Sequence, residues 1–177
     1  MKRNVLIFGL ISGLIISSML VYSTAYCYTD GNFEGNMTLG FLAMFIAFTM
    51  VFFGIKNYRD KELNGIITFG KAFETGLYIV LFASTMYVVV WLIDFYLFLP
   101  DFMDKYAAFV LGKAQADGVS DIEFARKTAE MNNYKEMYKN PLYIILLTYA
   151  EVLPIGLLVN LISSLILQKK TNPDNVA

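Results

Sequence analysis

Four long apolar runs dominate the pattern of hydrophobic and polar positions along the chain. They cover residues 4–26, 37–55, 71–99 and 141–167, and each is close to or above the roughly 20 residues that a helix needs to cross a hydrocarbon core. The runs are continuous and do not alternate with a period of two, so they predict spanning helices rather than the strands of a membrane barrel. The pattern therefore predicts an all-α polytopic membrane protein with four transmembrane helices, a single membrane domain over residues 1–177 in the lipid bilayer.

The segments that join and end these spans carry local stop and start signals. Residues 27–36 have the Gly, Asn and acidic composition of a short loop, and Pro100 ends the third span. Asn140 followed by Pro141 is a helix cap with proline at the first helical position, so the fourth span starts there. Residues 171–177 are expected to form a disordered tail.

The segment 101–139 is the only sizeable polar region and is expected to lie outside the membrane. Gly118 is typical of a helix C terminus, and Ser120 with Glu123 forms a capping box, so two short helices in an antiparallel hairpin are predicted. Aromatic side chains recur along both helices at Phe102, Tyr106, Phe109, Phe124, Tyr134 and Tyr138. They pack within the hairpin or are exposed for a protein partner, and both alternatives stay open.

Composition supports the membrane prediction and excludes several functions. Hydrophobic residues make up 57% of the chain and charged residues 16%, and the net charge of -1 gives no basic field for nucleic acid. Histidine is absent and Cys27 is the single cysteine, so neither a common metal site nor an internal disulfide is expected. No nucleophile, phosphate-loop or cofactor pattern is present, and we expect neither an enzyme nor a bound cofactor.

The positions of Lys and Arg predict the orientation in the membrane. They precede the first span, fill the connection at 56–71 and follow the fourth span, whereas residues 27–36 contain none. The six basic residues of the segment 101–139 weaken this pattern slightly. Under the positive-inside rule both termini are cytoplasmic and the hairpin lies outside. A signal peptide is the alternative for the first span, because Ser23 and Ala25 form a small-x-small cleavage pattern. Its apolar region is longer than a signal peptide requires.

Small residues mark the faces on which the spans are expected to pack. A stripe of small residues in the first span is predicted to nest against a face of small residues in the second. A third set, of small and polar residues, runs along the fourth span. Packing within one chain and contact in a homo-oligomer are both compatible with these stripes. The residues are Gly9, Gly13 and Ser17 in the first span, Gly40, Ala43, Ala47 and Gly54 in the second, and Gly156, Asn160 and Ser164 in the fourth.

Two acidic residues of the third span have different expected roles. Glu74 follows Lys71 by three residues at one end of the span, where an interfacial ion pair accounts for it. Asp94 shares a helical face with Tyr87 and is expected to point into the bundle, with Tyr87 and Trp91 near enough to supply hydrogen bonds.

Glu151 lies in the fourth span at a depth near that of Asp94, and apart from Lys71 at the far end of the third span neither acid has a basic residue within its apolar run. The pair is predicted to share a proton or take up a cation, or else to be protonated helix-locking groups. Pro154 leaves the carbonyl of Ala150 without its helical donor, which predicts a kink. Glu151 and Pro154 therefore have two interpretations: they hold the helices of the bundle together, or they form a proton-coupled hinge in the fourth span.

Four stretches carry a resemblance to a known family. They are "ITFGKAFETGLYIVLFAS", "PDFMDKYAAF", "EMYKNPL" and "EVLPIGLLVNLISSLIL", in this order along the chain. Together they resemble the bacterial membrane proteins of domain-of-unknown-function family 4199, and the resemblance covers nearly the whole chain. It implies a four-span inner-membrane protein and brings with it no activity, ligand or catalytic residue.

The sequence favours a structural or protein-interaction component of the membrane. The alternative is a small proton- or cation-coupled carrier that uses Asp94 and Glu151. A single copy with four spans would then act as an oligomer, because the paired repeats of larger transporters are missing.

Overall fold

The predicted all-α architecture is confirmed by the computed structural model, which describes residues 1–31, 33 and 37–169 and leaves the predicted tail outside the described part. Four helices are long and apolar enough to cross a membrane. The helices are α1 (Lys2–Asp30), α2 (Met37–Glu62), α3 (Phe69–Ile93, continued by a π-helical turn over Asp94–Phe98), α4 (Phe102–Ala116), α5 (Asp121–Met137) and α6 (Pro141–Leu167).

Side-chain caps explain where three of these helices begin. The hydroxyl of Thr68 accepts a hydrogen bond from the Lys71 backbone at 3.4 Å, and that of Ser120 accepts one from Glu123 at 3.3 Å. The side chain of Asn140 accepts from the backbone of Leu142 at 3.0 Å. Each cap satisfies a backbone N–H that has no partner inside its own helix.

Two helices extend beyond the limits that hydropathy indicates. α1 continues through Asp30, four residues past the expected end at residue 26, because the first helix-breaking position is Gly31 at φ 71°. α2 continues through Glu62, although the apolar run ends at residue 55. An apolar run ends where the chain leaves the membrane, whereas a helix ends where the backbone can no longer continue it.

The four long helices form a bundle in which α2 and α3 lie between α1 and α6. α1 packs on both α2 and α3, and α6 packs on the same two helices from the other side. Phe48, Val51 and Ile55 of α2 meet Ile79 and Val80 of α3 in the centre, and all five are fully buried. We call the end of the bundle that carries α4 and α5 the hairpin end.

The small-residue stripe of α1 does not nest against α2 as predicted; it faces α3. A Cβ on Gly9 would lie 2.9 Å from Phe82 Cδ1, and one on Gly13 would lie 2.6 Å from Met86 Sδ. Large side chains of α3 fill these notches, which gives more dispersion contact than two small faces would. Ser17 is buried on the same stripe, with no hydrogen-bond partner within the described residues.

Polar side chains join α1 to α2 instead. The amide of Asn4 donates to the carbonyl of Gly54 at 2.5 Å, and the hydroxyl of Ser12 donates to that of Ala47 at 3.0 Å. Both side chains are buried. The predicted small residues of α2 therefore matter because they leave room for a donor to reach the backbone.

α6 approaches α3 and α2 at its small residues. A Cβ on Gly156 would lie 2.6 Å from Val80 Cγ1 and 2.9 Å from Phe48 Cζ, and one on Gly76 would collide with Asn160 Oδ1. Asn160 is fully buried and donates to the carbonyl of Phe73 at 3.1 Å. This half of the bundle is closely packed.

The two helices of the hairpin contact each other, and some of its aromatic side chains also reach the bundle. Small side chains and Met131 form its internal contact, with Ala107 and Ala114 buried on α4. The aromatic side chains of α4 and the C-terminal residue after α5 turn instead toward the bundle: Phe102 contacts Trp91, and Tyr138 contacts Phe95. The prediction of packing within the hairpin is therefore incomplete for Phe102 and Tyr138, which also contact the bundle because its open end offers a larger apolar surface.

Candidate functional site: a roofed cavity at the hairpin end

A cavity of about 310 Å³ lies in the hairpin half of the bundle. It is walled by α1, α2, α3 and α6 and covered by α4, and its lining is mostly apolar. The lining side chains are Ile16, Met19, Leu20, Ser23, Thr24 and Cys27 of α1, Phe33 of the following loop, Gly40, Phe41, Ala43 and Met44 of α2, Tyr87 of α3, Phe102 and Tyr106 of α4, and Glu151 of α6.

Glu151 lies at the deep end of this cavity. The contact of Gly156 with Phe48 sets the register of α6 against α2, which places Glu151 level with Ala43. Below that level the bundle is filled by Phe48, Val80 and Val152, all fully buried. The cavity therefore extends from the middle of the bundle to the hairpin end and stops at a packed layer.

Aromatic rings form the roof. Phe33 packs edge-on against Phe102, with ring centroids 5.7 Å apart, and against Tyr106 at 5.9 Å. The rings of Phe102 and Tyr106 are stacked at 6.3 Å. The edge-on contacts of Phe33 stabilise the roof, and the rings present their surfaces to the cavity beneath it.

Among the described residues, an acidic but no basic side chain lines the cavity. Glu151 is the only carboxyl group among the lining residues, and no Lys or Arg is among them in the part of the chain that the structure describes. Glu151 is exposed, and its carboxylate forms no hydrogen bond or ion pair with any described residue.

Asp94 does not join Glu151. It is buried and accepts a hydrogen bond from the hydroxyl of Thr24 at 2.7 Å, rather than from Tyr87 or Trp91 as expected. The contact of Val80 with Gly156 places Glu151 level with Thr85, nine residues before Asp94, or about 14 Å along the axis. The two carboxyl groups therefore do not form the predicted pair, because the register of α3 and α6 separates them in depth.

The remaining predicted residues divide between the cavity and the packed half. Tyr87 lies in the cavity wall, whereas Asn160 is engaged with Phe73 in the packed half. Pro154 lies between them in α6, which continues through it as one helix. At the opposite end of the bundle Lys71 Nζ lies 2.8 Å from Glu74 Oε2.

A polar latch holds the roof to α1. The hydroxyl of Tyr28 donates to Asp101, which begins α4, and Lys105 Nζ lies 3.3 Å from the same carboxylate and 3.4 Å from the centre of the Tyr28 ring. The Tyr28 hydroxyl and Lys105 hold the pKa of Asp101 below its usual value, and the same contacts raise the pKa of Lys105. Hydropathy gave no sign of this latch, because its residues come from two separate polar segments.

A second attachment of the hairpin is aromatic. Tyr138 packs against Phe95 and Tyr143, with ring centroids 5.7 Å and 5.9 Å away. Burial, followed by the nearby Tyr143 and Glu151, raises the pKa of Tyr138 to about 12. The phenol therefore stays neutral over the physiological range.

The fold and the cavity together define the class of this chain, a multi-pass α-helical membrane protein with an interior cavity covered by a helical hairpin. Residues 7–169 match the family described as Protein of unknown function (DUF4199), and the chain belongs to that family. No curated protein and no solved structure matches it.

Proposed function

We propose that the protein binds a small ligand in the roofed cavity and works as a proton- or cation-coupled carrier, with Glu151 as the coupling group. The carboxyl group of Glu151 at the deep end of the cavity, without a basic partner among the described lining residues, is the observation that carries this proposal. An ionised carboxylate in a low-dielectric site is costly unless it takes up a proton or a cation. A cavity that offers it solvent and ligand supplies both alternatives.

The packed layer beneath the cavity supports one-sided access. Phe48, Val80 and Gly156 close the bundle directly below Glu151. Transport across the membrane requires the packed layer to open while the roof closes, as in alternating access. Pro154 is placed between the two regions, and the carbonyl of Ala150 lacks its helical donor, so α6 has a natural point at which to bend.

The position of Asp94 assigns it a different role. Its hydrogen bond with Thr24 satisfies the carboxyl group and ties α1 to α3. We therefore propose that Asp94 locks the helices and that coupling depends on Glu151 alone. This separates the two acids that a carrier mechanism would otherwise treat together.

The alternative is a scaffold that binds a protein partner through the hairpin. Tyr106 and Tyr138 face the bundle, which removes the main apolar surface for such a partner. Tyr134 and Ile122 are exposed, the latter at 85%, but single exposed apolar residues are ordinary on protein surfaces. The cavity is therefore the better supported site, and we propose no enzymatic reaction.

For orientation, we propose a cytoplasmic membrane location with both termini in the cytoplasm and the hairpin outside. The basic residues of the 56–71 connection and of the chain ends support this. The cavity then faces the outer leaflet side, and a homo-oligomer remains a prediction from the span count.

Flux measurements in proteoliposomes test the proposal. A pH gradient is imposed in the presence of Na⁺, K⁺ or choline, and internal pH is followed with a trapped dye for wild type, Glu151→Gln and Asp94→Asn. The proposal expects protein-dependent flux that Glu151→Gln abolishes and Asp94→Asn retains, since an asparagine oxygen can still accept from Thr24. Flux that is absent in wild type, or unchanged in Glu151→Gln, contradicts it.

A further inference from the structure

We infer that the ligand of the roofed cavity is a small organic ammonium ion, bound with its positive nitrogen near Glu151 and its alkyl groups against the aromatic side chains of the cavity wall, among them Tyr87. This deepens the proposed function, because it names a ligand class for the same cavity. It rests on the charge, the aromatic lining and the size of that cavity.

The charge of the lining selects a cation. Glu151 is its one carboxyl group, and the described lining holds no Lys or Arg that an anionic ligand could pair with. Electrostatic attraction to a carboxylate is strong where the surroundings are apolar and water is limited. An anion in the same place would be repelled.

The aromatic lining selects an organic cation over a metal ion. Five rings border the cavity, and ring faces attract ammonium groups through their quadrupole. Hard metal cations instead take about six or more oxygen ligands, and one carboxyl group with a few hydroxyls does not supply them. The lining rings are Phe33, Phe41, Tyr87, Phe102 and Tyr106.

The same protein already shows such a contact next to the roof. The ammonium group of Lys105 lies 3.4 Å from the centre of the Tyr28 ring and near the carboxylate of Asp101. A ring, a carboxylate and an ammonium group are thus combined one helical turn from Phe102. In the cavity the aromatic rings and the carboxyl group of Glu151 are both present, and empty space takes the place of the ammonium group.

The cavity volume limits the ligand to a small molecule. About 310 Å³ is at the lower limit of ligand pockets in proteins. Choline and tetramethylammonium are compact ions of suitable size, and their methyl groups suit an apolar wall. Long-chain or polycyclic cations would have to displace the roof.

Fluorescence of the single tryptophan provides the test. Trp91 packs against the roof residue Phe102 with ring centroids 5.4 Å apart, so occupancy beneath the roof should change its emission. Purified protein in mild detergent is titrated with choline and with its neutral isostere, in which carbon replaces the nitrogen. We expect saturable binding of choline and at least about tenfold weaker binding of the isostere. Equal binding of the two overturns the inference.

Variants tie the binding to the cavity. Glu151→Gln should lose the preference for choline. Gly40→Leu should block binding by filling the space, because a Cβ at position 40 meets no atom of the described residues within 4 Å. Asp94→Asn serves as the control and should bind as wild type does. Choline binding that survives both cavity variants overturns the inference, and melting curves identify any variant that fails to fold.

The results separate this inference from the proposed function. Choline binding that depends on Glu151, without flux in proteoliposomes, supports the ligand class and rejects the carrier. Flux of inorganic cations that depends on Glu151, without choline binding, supports the carrier and rejects the ligand class.

Discussion

The hydroxyl of Thr24 on α1 donates to the carboxyl group of Asp94 on α3, with 2.7 Å between the oxygens. Asp94 is buried, and its position begins the π-helical turn that ends at Phe98. The contact gives this acid a partner on a neighbouring helix, whereas Glu151 has none among the described residues. The two intramembrane acids therefore differ in kind: one is engaged in helix packing and the other is open to a cavity.

Thr24→Val should destabilise the protein. The substitution keeps the shape of the side chain but removes the donor, which leaves the buried carboxyl group of Asp94 without this bond. Interhelical hydrogen bonds in membranes contribute about 1 kcal/mol, so a loss of that size is expected. Thermal or denaturant unfolding in detergent measures it, with Thr49→Val as the matched control, since the exposed hydroxyl of Thr49 donates to the carbonyl of Ile46 within its own helix. Equal stability of Thr24→Val and wild type would reject the locking role.

Gly76→Ala should be among the more damaging small substitutions. The new methyl group would meet Asn160 Oδ1 and would lie 2.9 Å from Ile55 Cδ1, so α3 and α6 must move apart. Overpacking of this kind costs about 1–3 kcal/mol. Gly112→Ala is the control, because its Cβ would meet open space in the middle of α4, and it should be neutral or slightly stabilising. Similar melting temperatures for the two variants would contradict the close approach.

Acid should loosen the roof. The folded-state pKa of Asp101 is lowered, first by the Tyr28 hydroxyl and then by Lys105, so its contribution to stability is present above the unfolded pKa and is lost as pH falls through the folded pKa. The protection of α4 amides against hydrogen exchange, relative to their intrinsic rates at each pH, should therefore decrease below about pH 4, the ordinary range of aspartate. Asp101→Asn should exchange faster at neutral pH and lose this dependence. An unchanged pH profile in that variant would show that the latch does not hold α4.

Gly40→Leu should fill the cavity without disturbing the fold. No atom of the described residues lies within 4 Å of a Cβ at this position, and replacing a helical glycine favours the helix by roughly 0.5–1 kcal/mol. The thiol of Cys27 lines the same cavity and is the only one in the chain, so its reaction with a small maleimide reports on access. We expect slower labelling with an unchanged or higher melting temperature. Labelling at the wild-type rate would place Cys27 outside the space that Gly40 borders.

The sequence by itself determined the four spans and the ends of several helices. Run length and hydropathy identify the four spans, and Asn140, Ser120 and Gly118 mark ends because capping and left-handed backbone are local properties. The sequence also singled out Glu151 and Asp94 as acids in apolar surroundings. It needed no knowledge of neighbouring helices for any of these.

Only the tertiary structure decided which faces meet and where space remains. The stripe at Gly9 and Gly13 fits any close partner, and the structure pairs it with Phe82 and Met86 of α3. Asp94 finds Thr24, and Glu151 lies about nine residues deeper at the end of a cavity. The reason is that rotation and register between helices depend on the packing of all side chains at once, which an apolar run does not specify.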